Sequence, residues 1–308
     1  MLYRAAALGD KEKEVLAQVE KLRRELRYAV DQNPRRWQGL LRRSTFARNI
    51  RGSNSIEGYN VTVEDAIAAA AGEEPQDADA VAWAAVTGYR QAMTYVRQLA
   101  DDPHFRYSAD LLRALHFLMM QYDLGKNPGR WRPGPVFVRD EGTGEVVYEG
   151  PESSAVPGLV DELVAQLAGD SKTDGMVRGA MAHLNLVLIH PFSDGNGRMA
   201  RCLQTLVLAR TGVLAPQCSS IEEYLGRNAR DYYAVLAQVG GGAWHPKRDV
   251  RPWIRFCLTA HYRQATTLLR RSREMEKLWG ALEIEMARAH LPERTIFALA
   301  DAASGWRV

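Results

Sequence analysis

The sequence predicts a mainly α-helical protein with one small β-hairpin. Apolar residues recur at helical spacing over most of the 308 positions, which indicates a series of amphipathic or buried helices. Residues 131–150 instead combine short runs of valine and aromatic residues with turn residues, which is the pattern of a hairpin. Hydrophobic residues make up 46% and charged residues 25% of the chain, as is ordinary for a globular protein with a sizeable core.

Residues 1–100 are predicted to form an N-terminal helical region that carries a polar segment at 53–58. The Asn-Pro pair at 33–34 breaks the helical pattern. Thr62 and Asp65 form a capping motif at the start of an alanine-rich helix. The predicted helices of this region span 10–30, 35–51, 62–71 and 80–100.

The rest of the chain continues the helical pattern on both sides of the hairpin. Within the hairpin, residues 136–138 and 146–148 are the predicted strands, and 141–144 supplies turn residues. Ser108 caps the helix before the hairpin, and the segment 220–223 forms a capping box after it. The remaining predicted helices span 108–122, 156–169, 175–189, 198–211, 221–239, two helices between 249 and 288, and one short helix with its turn at 292–305.

Residues 190–201, the signature loop, read His-Pro-Phe-Ser-Asp-Gly-Asn-Gly-Arg-Met-Ala-Arg and are the most informative stretch of the chain. Pro191 cannot continue the preceding apolar helix, and it disfavours α geometry at His190. The run is therefore predicted to form a tight loop between two helices. It leads to the N-terminus of the second helix, where free backbone N–H groups and the helix dipole favour an anion.

The side chains of this loop suit a reaction at a phosphate group. His190 can accept a proton from an attacking hydroxyl near neutral pH, although a histidine after an apolar run can also be a structural cap. Asp194 offers the hard oxygen ligands that Mg²⁺ prefers. Arg198 and Arg201 lie three residues apart, near one face of the second helix, and either guanidinium can form a two-pronged contact with phosphate oxygens.

This run resembles the signature of Fic-domain proteins, the Fic/DOC family, and it fills every defining position. The resemblance implies a Fic-type helical core over residues 101–245 with the hairpin as a flap, an N-terminal helical extension, and C-terminal helices over 246–308. It also implies transfer of AMP from ATP, the substrate, onto a serine, threonine or tyrosine hydroxyl of a target protein or of the chain itself. Pyrophosphate is released, and Mg²⁺ is the cofactor.

The resemblance assigns a role to each defining position of the loop. His190 deprotonates the target hydroxyl, and Asp194 holds the Mg²⁺ that bridges the phosphates. Phe192 points into the core and anchors the loop. Five positions bind phosphate. The anion hole is formed by Gly195, Asn196 and Gly197, and the outer phosphates are bound by Arg198 and Arg201.

Residues 53–58, Ser-Asn-Ser-Ile-Glu-Gly, resemble the inhibitory motif of the family, with Ser53, Glu57 and Gly58 at its defining positions. Their place before the core is similar to the class with an N-terminal inhibitory helix. The resemblance implies that Glu57 pairs with Arg201, which should orient the γ-phosphate, so that ATP binds with its α-phosphate turned away from attack. Without the signature loop, a polar turn between two helices would be the preferred interpretation.

Two weaker resemblances concern the surroundings of the loop. Residues 131–150 resemble the flap that holds a segment of the target protein by strand addition, while a hairpin without such a role is the alternative. Asn228, Tyr232 and Tyr233 resemble residues that line the nucleoside pocket in similar proteins, while an amphipathic helix with core tyrosines is the other interpretation. Similar proteins often dimerise, so we expect a homodimer.

Three other functions are compatible with the same residues. Glu57 could position a water that removes AMP from a modified protein. The site could also transfer another group, such as UMP, phosphate or phosphocholine, although glycine rather than lysine at 197 argues against the phosphate-transferring type. The alternative of a different class is a nucleotide-sensing transcriptional regulator. Residues 292–308 resemble the start of a helix-turn-helix module, and we expect that the module is truncated in this chain.

The composition of the chain argues against some classes of partner and indicates in which compartment the protein works. The net charge of +3, from 40 basic and 37 acidic residues, is too small to argue for a nucleic-acid or membrane partner. The three cysteines are scattered, which indicates neither a disulfide framework nor a zinc site. The N-terminus carries no apolar signal segment, and no apolar run is long enough for a bilayer, so we expect a cytoplasmic protein.

Overall fold

The computed structural model describes residues 1–5, 7–29, 37–73, 78–139, 142–170, 172–212 and 214–303. In this part of the chain the protein is mainly α-helical with one small sheet, so the predicted fold class is confirmed. None of the described helices combines the length and apolarity needed to cross a bilayer.

Four helices form the N-terminal region. The Thr62 hydroxyl accepts a hydrogen bond from the Asp65 N–H (3.0 Å) and caps the third of them. The second helix extends further than predicted, so the polar segment at 53–58 forms its last turn. Asn54 and Ser55 donate to carbonyls of their own helix, which lets polar residues continue it. The helices are α1 (Asp10–Arg27), α2 (Gln38–Ile56), α3 (Val63–Ala71) and α4 (Ala80–Leu99).

The central helices surround α8, which begins directly after the signature loop. Its apolar residues are fully buried, Leu203 and Leu206 among them, and each such side chain contributes about 1.5–3 kcal/mol to folding. Helices α4, α5 and α7 pack on α8. The signature loop therefore rests on the most buried part of the molecule. The central helices are α5 (Ala109–Met120), α6 (Val156–Gly169), α7 (Gly175–Ile189) and α8 (Asn196–Ala209).

The sheet contains the predicted hairpin and one added strand. Strands β1 (Phe137–Arg139) and β2 (Val146–Glu149) pair antiparallel, with Val138 opposite Tyr148. Strand β3 (Gly242–Ala243) pairs parallel to β2 and was not predicted, because a two-residue strand carries no alternation. The order β1-β2-β3 leaves β1 at an edge of this sheet. Residue 141 of the predicted turn at 141–144 lies outside the described residues, as does residue 140 before it.

The predicted helix over 221–239 is wrong as a single element. A short α9 (Pro216–Ser219) precedes it, and the chain then breaks at Asn228 between α10 (Glu222–Arg227) and α11 (Ala229–Gly240). The capping box also fails, because the Glu223 carboxylate forms ion pairs with Arg271 and Arg227 instead of returning to the helix start. Tertiary charge pairing outweighs the local signal here.

The two helices predicted between 249 and 288 are one. Helix α12 (Arg251–Arg288) runs through 38 residues without a break, and α1 packs along it. A 3₁₀ turn (Glu293–Thr295) and α13 (Ile296–Ala303) follow. The end of the proposed helix-turn-helix start, residues 304–308, lies outside the described residues.

Candidate active site

Backbone geometry presents His190 at the junction of α7 and the signature loop. Helix α7 ends at Ile189, and His190 adopts a left-handed conformation with φ 51° and ψ 60°. Gly195 is also left-handed, with φ 74°, and is the N-cap of α8. The first backbone hydrogen bond of α8 joins Met199 N–H to Gly195 O (2.9 Å). The N–H groups between them therefore have no partner within the helix, and such groups at a helix N-terminus can donate to an anion.

The environment of His190 keeps its imidazole neutral. Nδ1 lies 3.1 Å from the Val187 carbonyl, which assigns the proton to Nδ1 and leaves the lone pair on Nε2. Burial lowers the pKa of His190 below its ordinary value, and the nearby Arg132 guanidinium lowers it further. A neutral imidazole with a free Nε2 is the state that a general base requires.

The core side of the loop is closed by Phe192 and Asn196. Phe192 is fully buried, and the Asn196 side chain accepts from its N–H and donates to its carbonyl, both at 2.9 Å. Because its side-chain amide is engaged within the loop, we expect Asn196 to meet an anion mainly through its backbone N–H.

His116 on α5 supports the loop, although no sequence pattern pointed to it. Its ring stacks on Phe192 with centroids 3.7 Å apart. Nδ1 accepts from the Gly129 N–H, so Nε2 donates to the Asp194 carbonyl, each at 2.9 Å. Burial lowers the pKa of His116 to about 4, which keeps this bridging tautomer neutral. Both partners are backbone groups far away in sequence, which a sequence pattern cannot identify.

Asp194 fits a magnesium ion that is shared with a phosphate ligand. One carboxylate oxygen accepts from the Gly195 N–H (2.6 Å), and the other lies 3.6 Å from Lys126 Nζ, whose side chain is half exposed and can move away. Within the described ranges, no group of three acidic, histidine or cysteine side chains is arranged to hold a metal. Mg²⁺ commonly needs only one or two carboxylates when phosphates complete its shell, so a single Asp194 suffices.

Arg198 is a buried cation without an ion-pair partner in the described part of the chain. Its guanidinium contacts Met120 Sδ (2.9 Å) and the Tyr122 hydroxyl (3.3 and 3.4 Å), and it lies 4.8 Å from the ring centroid of Tyr59. These neutral groups compensate the charge of Arg198 less well than the oxygens of a phosphate would. A buried charge that is poorly compensated favours an anionic ligand.

Arg201 is held by the end of α2. Its Nε donates to Ser53 Oγ (2.7 Å), and Nη2 donates to Ser53 O (2.9 Å) and to Glu57 Oε1 (2.6 Å). Burial opposes the charged guanidinium, but the Glu57 carboxylate and the Tyr232 and Tyr89 side chains together outweigh it and raise the pKa of Arg201. A Cβ at Gly197 would lie 2.3 Å from Glu57 Oε1, so the carboxylate occupies the space above the first turn of α8.

Glycines and Tyr233 fix the end of α2 in this position. A Cβ at Gly52 would lie 2.5 Å from Glu222 O, so α2 and α10 approach closely. Gly58 ends the turn with φ 81°. The Tyr233 hydroxyl, on a half-exposed side chain, donates to Ile56 O (2.9 Å). Tyr233 therefore contacts the segment 53–58 in this arrangement.

The three residues expected to line a nucleoside pocket lie close together but in different surroundings. The ring centroids of Tyr232 and Tyr233 are 5.4 Å apart, and the Tyr232 N–H donates to Asn228 O (3.0 Å). Tyr232 is buried, its hydroxyl bonds to His183 Nε2 (2.9 Å), and its ring lies 5.9 Å from Arg201. The Tyr232 ring therefore packs against the Arg201 guanidinium and does not face an open pocket. Asn228 uses its side-chain amide to donate to Tyr224 O (2.8 Å) at the break between α10 and α11.

Solved structures share the fold described above. A Fic family protein from Desulfovibrio desulfuricans G20 superposes with a TM-score of 0.71 at 24% identity, covering 99% of this chain and 93% of that one. Fic-1 (residues 134–508) from C. elegans gives a TM-score of 0.66 at 23% identity, covering 86% and 73%. The predicted Fic-type helical fold is confirmed.

Sequence comparison identifies the domain at its centre. Residues 106–208 match the model of the Fic/DOC family, and this range includes the flap and the whole signature loop. The chain therefore contains a Fic/DOC domain.

Proteins named as protein adenylyltransferases are among the relatives. Protein adenylyltransferase Fic of Nematostella vectensis is 27% identical over 224 residues, which is 70% of this chain and 46% of that protein. Protein adenylyltransferase fic-1 of Caenorhabditis elegans is 30% identical over 174 residues, 56% of this chain and 30% of that protein. The chain thus spans less than half the length of these relatives.

Proposed function

We propose that this protein is an autoinhibited protein adenylyltransferase, which transfers AMP from ATP to a serine, threonine or tyrosine hydroxyl of a target protein or of itself. The observation that carries the proposal is the contact of 2.6 Å between Glu57 Oε1 and Arg201 Nη2, above Gly197. The Fic/DOC match and the names of the relatives support the transfer of AMP.

The reaction is a displacement at the α-phosphorus of ATP. His190 Nε2 takes the proton of the target hydroxyl, whose oxygen then bonds to the α-phosphorus while the bond to the bridging oxygen of pyrophosphate breaks. The backbone N–H groups at the start of α8 and the two guanidiniums, Arg198 and Arg201, hold the phosphates. Mg²⁺, when bound at Asp194, neutralises the charge that develops on the phosphate oxygens.

Inhibition follows from competition for one guanidinium. Glu57 occupies the Nη2 group of Arg201 that the outermost phosphate of ATP would use. The nucleotide then binds with its α-phosphate out of line with the attacking hydroxyl, and a small displacement of this kind is sufficient to suppress transfer. Because Ser53 also accepts from Arg201, the arginine is held by α2 at two positions.

The target segment is proposed to pair with the free edge of β1. Phe137 at this edge is 45% exposed, and the edge offers backbone groups for strand addition. Pairing of this kind recognises an extended backbone more than particular side chains. The homodimer that the resemblance implies stays a prediction, as does the cytoplasmic location.

The proposal is tested by incubating purified chain with ATP and Mg²⁺ and measuring intact mass. We expect the Glu57→Gly variant to add one AMP group to itself or to a protein in a cell lysate, and the Glu57→Gly/His190→Ala variant to add none. Glu57→Gln is the matched control, because it keeps the side chain's length and removes its charge, and it should transfer at an intermediate level. No transfer by Glu57→Gly would contradict the proposal.

The reverse reaction is distinguished by a companion experiment that starts from protein already carrying AMP and follows its mass. If Glu57 positions a water for removal of AMP, protein that already carries AMP should lose it with the parent chain and keep it with Glu57→Gly.

A further inference from the structure

Arg132, at the base of the flap, contacts the residue proposed as the general base. Its side chain is only 4% exposed. Nε donates to His190 O (2.8 Å), and the Arg132 backbone N–H donates to Pro191 O (2.9 Å). Its two remaining nitrogens donate to Gly134 O and Pro151 O. One side chain thus joins the signature loop to both ends of the hairpin.

The two hairpin contacts lie at equivalent places on either side of the flap. Gly134 precedes β1 and Pro151 follows β2, and Gly150 N–H donates to Val136 O (3.1 Å) between them. A Cβ at Gly150 would lie 2.6 Å from Val136 Cγ1 and 3.4 Å from Arg132 Nη2. Only glycine therefore fits at position 150 without displacing these side chains. The position and direction of the flap are therefore tied to Arg132.

The contact with His190 falls on a strained part of the backbone. A left-handed conformation is unfavourable for a residue with a Cβ and persists only where the surroundings fix it. The His190 N–H donates to Leu186 O (3.0 Å), and its carbonyl accepts from Arg132, so the peptide groups on both sides are held. If one of these hydrogen bonds is removed, the His190 backbone can relax and the orientation of the imidazole is no longer fixed.

We propose that Arg132 is a positioning residue, which sets the distance between a target segment paired to the flap and the imidazole of His190. The inference rests on the proposed function, since it concerns how the accepting hydroxyl is aligned with the base. Arginine suits this role because its planar fork reaches acceptors in several directions, whereas lysine offers all its protons at one point. In the described part of the chain no carboxylate forms a salt bridge with Arg132, so its donors serve these carbonyls.

Arg210 provides a matched control. Its Nη1 donates to three carbonyls, those of Leu99, Ala100 and Asp102 (3.2, 2.8 and 2.9 Å), and it lies at the other end of α8 from the signature loop. Arg210→Lys therefore makes the same chemical change at a buried arginine–carbonyl contact without touching the site, and a lysine nitrogen can serve carbonyls that share one donor. Arg132→Lys and Arg210→Lys are compared in the full chain carrying Glu57→Gly.

The first readout is the rate of AMP transfer at saturating ATP together with the KM for ATP. For Arg132→Lys we expect the rate to fall by about a hundredfold, which a misplacement of about 1 Å can cause, while the KM for ATP changes less than about threefold. Arg210→Lys should change neither value. A rate within about threefold of the unsubstituted arginine, or an equal effect of both substitutions, overturns the proposal.

The second readout needs no activity. Amide hydrogen exchange reports local opening, and in Arg132→Lys we expect faster exchange in residues 135–150 and in residues 190–195 together. In Arg210→Lys only the segment around 99–102 should change. Faster exchange in the flap alone, with the loop unchanged, overturns the proposal. Absence of transfer in the Glu57→Gly chain itself would contradict the proposed function, while this exchange result still decides the role of Arg132.

Discussion

At the scale of single residues, Asn196 closes the signature loop through hydrogen bonds to the backbone of Phe192. The sequence places an asparagine between two glycines, which suggests an anion hole. In the folded chain, the Asn196 side chain accepts from the N–H of Phe192 and donates to its carbonyl. Its contribution is to hold the loop closed, so that the backbone around it can meet an anion.

Asn196→Ala therefore tests loop closure. The substitution leaves two buried backbone groups of Phe192 without partners, and we expect the free energy of unfolding to fall by about 1–3 kcal/mol. Urea denaturation measures this. Asn60→Ala is the control, because Asn60 is exposed and its side chain donates to Gly58 O, two residues away. It should change stability by less than about 0.5 kcal/mol. Equal effects of the two substitutions would contradict this role of Asn196.

His116 and Arg132 mark the limit of prediction at this scale. Each bonds mainly to backbone carbonyls or N–H groups of segments distant in sequence, and neither belongs to a recognisable spacing. Tyr232 shows the opposite limit, because a core tyrosine was one of the two interpretations of its helix but its contact with Arg201 was not predicted. Contacts of this kind depend on the tertiary arrangement.

At the scale of elements, the inhibitory segment is the end of a helix and is positioned by that helix. Gly52 on α2 lies against the backbone of Glu222 and Glu223 on α10, and a Cβ at Gly226 would lie 2.6 Å from Gly52 Cα. This glycine contact sets how close the two helices approach. The position of Glu57 above Gly197 depends on that approach.

Gly52→Ala should therefore release inhibition with Glu57 still present. Its Cβ would meet the Glu222 carbonyl at 2.5 Å and displace α2, so we expect AMP transfer to rise and thermal stability to fall. Gly39→Ala on the same helix is the control, because nothing lies within 4 Å of its Cβ. It should leave transfer unchanged and stabilise the chain by up to about 1 kcal/mol. Unchanged transfer in Gly52→Ala would contradict this dependence.

Element boundaries were predictable where caps are local and failed where long-range contacts decide. Ser108 and Thr62 cap their helices as their sequences indicated. The break at Asn228 and the continuity of α12 depend on packing and on ion pairs such as Glu223 with Arg271, which local sequence does not specify.

At the scale of the whole molecule, buried histidines connect stability to pH. Burial lowers the pKa of His116 to about 4 and those of His183 and His261 to about 3. In the unfolded chain each takes up a proton near its ordinary pKa of about 6.5. The unfolded state then binds more protons, so stability is lost as the pH falls below about 6.5. Glu222 acts in the opposite direction, because burial raises its pKa to about 7.

These three histidines against one carboxyl leave an excess of about two protons in the unfolded state near pH 5.5, and the lowered pKa of His190 adds to that excess. We expect the free energy of unfolding to fall by roughly 2–4 kcal/mol between pH 7 and pH 5, measured by urea denaturation. His261→Phe should reduce this slope, whereas substitution of the exposed His104 to Gln should not. A free energy that is constant or rises over this range would contradict the prediction.

The central claim is that Glu57 restrains the site by occupying Arg201. Its most direct test is the initial rate of AMP transfer at saturating ATP, compared between the parent chain and Glu57→Gly under identical conditions. The account predicts a rate at least about tenfold higher for Glu57→Gly, which corresponds to 1.4 kcal/mol of relieved competition. Equal rates, or a lower rate in Glu57→Gly, would contradict it.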